Sequence, residues 1–170
     1  MRRKLAASLI FIASLAIAVA PAPAESISTK VIAVIDGDTL KIQLNESKEK
    51  VILYGIDCPE IGQDYGAQAK KFTDDKCYGK VVTIEQRGLD KNGRIIGVVT
   101  LPDGTNLNQE LVRQGLAWWS DKYAPKDETL KKLHQEAKTA KRGLWVASNP
   151  IPPWIFRNGQ RGVQGTVLTK

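Results

Sequence analysis

Residues that bind transition metals are scarce in this chain. Its 170 residues include two cysteines, Cys58 and Cys77, and one histidine, His134. Two cysteines cannot form a zinc site unaided, and the histidine lies far along the chain from both of them. His134 follows Leu133 in the last strong helical pattern, so we interpret it as a surface or partly packed side chain and not as a general base. The composition therefore argues against zinc and histidine chemistry.

Long apolar runs are also scarce. The run at residues 5–20 follows a cationic start at residues 1–4 and precedes the small residues Ala-Pro-Ala at 22–24. About sixteen apolar residues are too few for a membrane span, which needs roughly twenty. This order of segments is typical of a secretory signal peptide, residues 1–24, with cleavage after Ala24. We expect an exported protein, periplasmic or secreted, with no stable membrane association after cleavage.

The excess of positive charge is modest once the signal peptide is removed. The whole chain has 25 basic and 18 acidic residues, a net charge of +7. Arg2, Arg3 and Lys4 supply three of those charges, and residues 1–24 contain no acid, so the mature chain keeps +4. This charge is compatible with a polyanionic partner but does not identify one.

The two cysteines leave one structural question open. Export makes a disulfide between Cys58 and Cys77 chemically possible, and it would tie the end of a predicted strand to the end of the following helix. Two free, partly buried thiols are the alternative. The sequence does not decide between them, because the pairing depends on a Cα–Cα distance.

Apolar periodicity predicts a mixed fold. Strand patterns cover residues 28–35, 39–44, 51–56, 80–86 and 94–101, and residues 45–50 are predicted as a charged turn. Helical patterns cover 65–77 with Asp64 as its cap, 107–115 after Asn106 or Asn108, and 127–141. Three strands, a helix, two strands and further helices are the order of an OB-fold. We predict an α+β fold, mainly a five-stranded β barrel with about three helices, over residues 25–156.

The C-terminal segment has a different composition. Pro152 and Pro153 predict a stiff, extended strap, with Trp145 and Trp154 anchoring it to the surface. Asn, Gly, Gln, Arg and Lys dominate beyond Trp154, and we predict residues 157–170 to be a loose polar tail.

Carboxylates gather at two turns beside the predicted strands. Asp36-Gly37-Asp38 forms a tight turn after the first strand, and Asp57 and Glu60 follow the third. Each motif alone is mostly a turn signal. Together they offer hard oxygen ligands from two segments, which is the ligand type that Ca²⁺ prefers. The sequence therefore predicts a calcium site at the rim of a cleft.

Four ordered motifs resemble the staphylococcal nuclease (thermonuclease) family. They are residues 36–39 (Asp-Gly-Asp-Thr), 55–60 (Gly-Ile-Asp-Cys-Pro-Glu), 90–94 (Asp-Lys-Asn-Gly-Arg) and 111–117 (Leu-Val-Arg-Gln-Gly-Leu-Ala). The likeness covers about residues 31–145. The resemblance implies an OB-fold nuclease that depends on calcium, cuts DNA and RNA, and leaves 3′-phosphates.

The resemblance also assigns roles to single positions. Asp38 and Asp57 match the calcium-binding carboxylates, and Cys58 stands where a threonine lends its backbone carbonyl to the ion. Glu60 matches the glutamate that orients or deprotonates the attacking water, and Arg94 matches one of two phosphate-binding arginines. These residue types suit phosphodiester hydrolysis, which needs a positioned water and cations at the phosphate. The remaining assignments are supporting carboxylates and substrate contacts: Asp36, Asp90, Lys91 and Tyr123.

One position departs from the family's pattern. The second phosphate-binding arginine lies five residues before the calcium aspartate, where this chain has Ile52. Strand alternation points Ile52 to the cleft if Val51 and Leu53 face the core. Isoleucine cannot bind a phosphate, and arginines in phosphoryl transfer contribute about 10³ to 10⁵ in rate. We therefore expect a slowed enzyme, and we expect Ile52→Arg to raise cleavage by orders of magnitude.

Two functions of different class follow. The first is an exported, calcium-dependent nuclease that acts on DNA and RNA as a monomer. The second is a catalytically impaired, nuclease-like module that binds nucleic acid or calcium. The first is favoured because the chain retains the four main site residues of the family: Asp38, Asp57, Glu60 and Arg94. A generic single-strand-binding barrel would need aromatic platforms such as Trp118 and Trp119, which we instead expect to pack the last helix against the barrel.

Overall fold

The structure, a computed structural model, describes residues 26–166, and the side chains of residues 26–159. The predicted signal peptide lies outside the described residues. The strands are β1 (Ser26–Val34), β2 (Thr39–Leu44), β3 (Ser47–Leu53), β4 (Ile56–Asp57), β5 (Val81–Leu89), β6 (Ile95–Thr100) and β7 (Trp118–Trp119). The helices are α1 (Gly66–Cys77), α2 (Leu107–Arg113), α3 (Glu128–Thr139) and α4 (Pro153–Thr166), with a 3₁₀ turn at Gly143–Val146.

Five strands close into a barrel in the order β1-β2-β3-β6-β5. β3 and β6 pair in parallel, and the other neighbouring pairs are antiparallel. Inward and outward side chains alternate along the strands, as a small filled barrel requires. The core of the barrel includes the fully buried Val31, Leu40, Val51, Ile84 and Val99. The predicted α+β fold, a five-stranded OB-type barrel with helices packed on it, is confirmed.

Helix α2 is attached to the barrel by a buried polar side chain. Asn108 is buried, and its Oδ1 accepts from the backbone N–H of Val99 at 3.0 Å. Its Nδ2 donates to the carbonyl of Tyr54, just after β3, at 2.9 Å and to that of Gly97, within β6, at 3.2 Å. Asn106, one of the two predicted caps, accepts from the backbone N–H of Gln109 and caps the helix.

Two local predictions are wrong. The charged turn at 45–50 is mostly strand, because Leu44 and Ser47 pair directly and the turn is only Asn45 and Glu46. Asn45 takes a positive φ of 53°, which suits so short a connection. Helix α1 starts after Tyr65, which lies in the left-handed region with no side-chain cap, and not after a capping Asp64.

The C-terminal strap and the start of the tail form a fourth helix. α4 begins at Pro153 and continues through Thr166, so residues 157–166 are helical and not a loose tail. Proline is favoured at the first helical position, because its missing N–H would have no partner there. The proline pair is therefore a helix-start signal, and the prediction of an extended strap is wrong. Within the described residues, none of the helices is both long and apolar enough to cross a membrane.

The structure has two free, buried thiols in place of a disulfide. Cys77 Sγ donates to the carbonyl of Thr73 at 3.0 Å, and burial raises the pKa of Cys77 to about 12. Burial, followed by the charge of Asp38, also raises the pKa of Cys58 well above its usual value. Thiolate is the reactive form of cysteine. Both side chains are therefore unreactive for two reasons, because they are buried and because they stay protonated.

We expect a thiol reagent to label neither cysteine in the folded protein and to label both after unfolding in denaturant. Protein purified without reductant should be titrated with a chromogenic disulfide reagent, with and without guanidinium. An intact mass lighter by two hydrogens, with no thiol released by denaturant, would mean that Cys58 and Cys77 are joined after all.

Candidate functional site

Two turns meet through the side chain of Asp38. Its Oδ2 accepts from the backbone N–H of Cys58 at 2.7 Å, and its Oδ1 accepts from the hydroxyl of Thr39 at 3.1 Å. The first bond crosses from the turn after β1 to the end of β4 and places the Asp38 carboxylate beside the residue that follows Asp57. The structure thus brings together the two carboxylate motifs that the sequence singled out.

Glycine at position 37 permits this approach. A Cβ on Gly37 would lie 2.7 Å from the Cβ of Cys58 and 2.8 Å from the Cβ of Ala69, closer than packed carbon atoms come. The carbonyl of Gly37 accepts from the buried hydroxyl of Thr73 at 2.7 Å. The turn therefore packs directly on α1 and on the end of β4, which fixes the carboxylates on either side of it.

The cluster is rich in negative charge. Burial, followed by the charge of Asp36, raises the pKa of Asp38 well above its usual value, and Asp57 adds to the shift. Burial also raises the pKa of Asp57, against the lowering effect of Arg157. Burial is the largest cause of both shifts, so the surroundings disfavour the ionised carboxylates, and a bound cation would offset that effect.

The donor set fits calcium better than a transition metal. Among the described residues, no three side chains of His, Cys, Asp or Glu are placed to hold an ion by themselves. Asp38 and Asp57 would therefore need backbone carbonyls and water to complete a coordination shell. Ca²⁺ accepts such mixed oxygen ligands in flexible geometry.

Glu60 is held by the loop that precedes α1. Its backbone N–H donates to Oε1 of Gln63 at 2.9 Å, and its carbonyl accepts from the N–H of Gln63 at 2.8 Å. A Cβ on Gly66 would lie 1.8 Å from the carbonyl oxygen of Glu60, so only glycine allows the helix to start this close. The loop fixes the backbone of Glu60 and leaves its carboxylate half-buried at the rim.

Arg157 is the site residue that sequence reasoning missed. Its Nη1 donates to Oδ1 of Asp57 at 3.0 Å and to Oε1 of Glu60 at 2.6 Å, and its Nη2 donates to Oδ2 of Asp57 at 2.7 Å. The guanidinium thus bridges the predicted metal ligand and the predicted general base. Proline at the start of α4 was the available signal, since a helix there places Arg157 on a defined face.

The second group of predicted residues lies in the hairpin between β5 and β6. Nε of Arg94 donates to Oδ2 of Asp90 at 2.7 Å, and Asp90 also accepts from two backbone N–H groups of the hairpin. The hydrogen bond from Arg94 lowers the pKa of Asp90. Within the described residues the polar contacts of the Arg94 side chain are with Asp90, so its contact with a phosphate stays a prediction. The same holds for Lys91 and for Tyr123, which are both exposed.

Ile52 lies where strand alternation predicts. It is half-buried between the fully buried Val51 and Leu53, so it faces away from the core. Across β2 it pairs with Thr39, the neighbour of Asp38. Position 52 is therefore on the outer surface of the barrel, one strand from the carboxylate turn.

The tryptophans and His134 have a structural role. His134 Nδ1 accepts from the backbone N–H of Trp119 at 3.3 Å, and its ring centroid lies 4.8 Å from that of Trp145. Burial, followed by the charge of Lys138, lowers the pKa of His134 to about 4. The imidazole is therefore neutral and packed among aromatic rings, which is a structural role and not that of a general base. Trp118 packs edge-on against Trp145 at 4.4 Å, which confirms that these rings fasten the C-terminal elements to the barrel.

Comparisons with known proteins agree with this geometry. Residues 50–147 match the sequence profile of the family described as staphylococcal nuclease homologue. The chain is 40% identical over 138 residues, 81% of its length and 90% of the relative's, to a protein of Escherichia coli named uncharacterized endonuclease. It is 31% identical over 141 residues, 78% of its length and 81% of the relative's, to the micrococcal nuclease of Shigella flexneri.

Proposed function

This chain belongs to the staphylococcal nuclease family, and we propose that it is an exported, calcium-dependent nuclease that hydrolyses phosphodiester bonds in DNA and RNA. The observation that carries the proposal is the 2.7 Å bond from Cys58 N–H to Asp38, which joins two acidic turns beside Glu60. A relative named endonuclease and one named micrococcal nuclease support the reaction class.

The proposed chemistry divides among a few side chains. Asp38 and Asp57 would hold the ion, with the backbone carbonyl of Cys58 as a further ligand. Bound calcium would polarise a phosphoryl oxygen and neutralise part of its charge. Glu60, whose backbone is fixed by Gln63, would orient the attacking water and accept its proton. Arg94, paired with Asp90 in the hairpin, would present its remaining donors to the phosphate.

A binding module without catalysis is the second candidate, and the identity of residue 52 is what favours it. An isoleucine in this place removes a guanidinium that the resemblance assigns to the transition state. Such a loss slows phosphoryl transfer by about 10³ to 10⁵ unless another cation replaces it. The distinction is therefore one of rate, which an assay over a wide range of enzyme concentration can measure.

Digestion of plasmid DNA, denatured DNA and RNA by residues 25–170 tests the proposal. We expect cleavage with calcium, none with EDTA, and recovery when calcium is added in excess of EDTA. Absence of calcium-dependent cleavage at high enzyme concentration, with retained binding of the same nucleic acids, would leave the binding module as the function. Export is tested by expressing the full chain of 170 residues, because N-terminal sequencing of the exported protein should then begin at Glu25.

A further inference from the structure

We propose that Arg157 is a catalytic residue that binds the scissile phosphate and supplies, from α4, the guanidinium that position 52 lacks. The inference rests on the proposed nuclease function and assigns one more residue to that site. Three features carry it: the way α4 is docked, the donors that Arg157 keeps free, and the charge of the surrounding side chains.

The docking of α4 places Arg157 at the site. Trp118 of β7 pairs with Asp57 of β4, and the ring of Trp154 packs edge-on against Trp118 at 5.5 Å. Residues three apart on a helix share a face, so Arg157 lies on the same side of α4 as Trp154 and reaches Asp57. Gln63 adds a second attachment, since its Nε2 donates to the carbonyl of Ile151 at 3.0 Å.

The guanidinium has donors to spare. It carries five N–H bonds, and three of them are used on Asp57 and Glu60. Both N–H bonds of Nη1 and one of Nη2 are engaged, so the remaining two belong to Nη2 and Nε among the described contacts. These two lie on one edge of the planar group and form the fork that binds two phosphate oxygens. The side chain is 37% exposed, so this edge is within reach of a substrate.

The charges around the site require a cation next to an incoming phosphate. A phosphodiester approaching Asp57 and Glu60 would otherwise meet two carboxylates, and Arg94 is paired with Asp90 in the hairpin. A guanidinium does not lose its proton in proteins, so Arg157 is a cation at every working pH. Arg157 therefore joins the base to the phosphate and sets the distance between them.

An inhibitory latch is the competing interpretation of the same contacts. Arg157 binds Asp57 through both carboxylate oxygens, and a cation at Asp57 would compete with it. A latch would have to be released before catalysis, so its removal would speed cleavage and tighten calcium binding. Removal of a phosphate-binding residue would instead slow cleavage, so the cleavage rate separates the two interpretations.

Nuclear magnetic resonance of the arginine side chains tests the contact without metal or turnover. In protein labelled with ¹⁵N and held in EDTA, the Arg157 Nε–H signal is assigned by its loss in Arg157→Lys. Addition of a thymidine dinucleotide should shift this signal and leave that of Arg113, which is paired with Glu110 on α2, unchanged. Arg157→Gln should weaken dinucleotide binding at least about tenfold, as expected for a lost charge-assisted contact. The inference would be overturned if the dinucleotide did not shift the Arg157 signal and if Arg157→Gln bound the dinucleotide as tightly as the wild type.

Cleavage by the same variants gives the second readout. We expect Arg157→Gln to lower the rate with calcium by about 10³-fold or more, Arg157→Lys to recover part of it, and the exposed neighbour variant Asn158→Ala to match the wild type. Equal cleavage by Arg157→Gln would reject the proposal, and faster cleavage would reject it and establish the latch. A wild-type protein that cuts nothing but shows the Arg157 shift would refute the nuclease and leave the phosphate contact standing.

Discussion

Replacement of Asp38 by asparagine is expected to abolish calcium-dependent cleavage and, at the same time, to stabilise the calcium-free protein. Asparagine has the same shape, and its Oδ1 can still accept from Cys58 N–H while its Nδ2 donates to the Thr39 hydroxyl. What it lacks is the charge that holds a cation. Loss of several kcal/mol of transition-state stabilisation corresponds to about 10³-fold or more in rate.

The gain in stability follows from the crowded charges. Burial and the charge of Asp36 raise the pKa of Asp38 in the folded protein, so the unfolded chain gives up this proton more readily. Ionised Asp38 therefore destabilises the calcium-free fold increasingly as the pH rises from the ordinary carboxyl pKa through the raised one. Removing this charge with Asp38→Asn should raise the free energy of unfolding of the calcium-free protein by on the order of 1 kcal/mol near neutral pH, and by less in acid.

Thermal and urea unfolding measure this effect. In EDTA, Asp38→Asn should unfold at the higher temperature. In calcium at about a hundred times its Kd, the wild type should gain about 2.7 kcal/mol and the variant none. A variant that is less stable than the wild type in EDTA, or that calcium stabilises equally, would mean that Asp38 is a structural hydrogen-bond acceptor and not a cation ligand.

Replacement of Glu60 by glutamine should lower the cleavage rate by about 10² to 10⁴ while leaving calcium binding in place. Glutamine keeps the length of the side chain and can still accept from Arg157 Nη1 through Oε1, but it cannot take a proton from water. The loop that fixes Glu60 uses its backbone N–H and carbonyl, which the substitution does not touch. The defect should therefore appear in the rate at saturating substrate.

The matched control is Glu128→Gln, since Glu128 is an exposed carboxylate paired with Lys131 on α3. It should cleave at the wild-type rate. If Glu60→Gln retains full activity, the water is deprotonated elsewhere, and Glu60 serves only to bind Arg157. Kinetics at several substrate concentrations separate a lower rate from weaker binding.

Local signals were enough to predict the barrel and the acidic turns. Alternation marked the buried faces of the strands. Asp36-Gly37-Asp38 follows β1, Asp57 ends β4 soon after β3, and the bond from Cys58 N–H to Asp38 joins the two turns. Short-range patterns also limited the cap of α2 to Asn106 or Asn108, of which Asn106 is the cap, and they predicted the outward face of Ile52. These features depend on residues near in sequence, or on strands that pair with their neighbours.

Arg157 could not be found in this way, because its contact with Asp57 spans 100 residues. It depends on α4 docking through Trp154 onto Trp118, and the composition of the segment predicted a tail. The role proposed for Arg157 also changes the expectation for Ile52→Arg. If Arg157 already binds the phosphate, the gain in the wild type is small, and the large gain appears in an Arg157→Gln background.

Calorimetric titration of calcium into the mature protein tests most directly whether the two acidic turns form a metal centre. We expect each wild-type chain to bind a single ion, Asp38→Asn and Asp57→Asn to lose this binding, and Glu60→Gln to keep it. Wild-type protein that takes up no calcium, or an Asp38→Asn variant that takes up as much with the same affinity, would contradict a metal centre at the acidic turns.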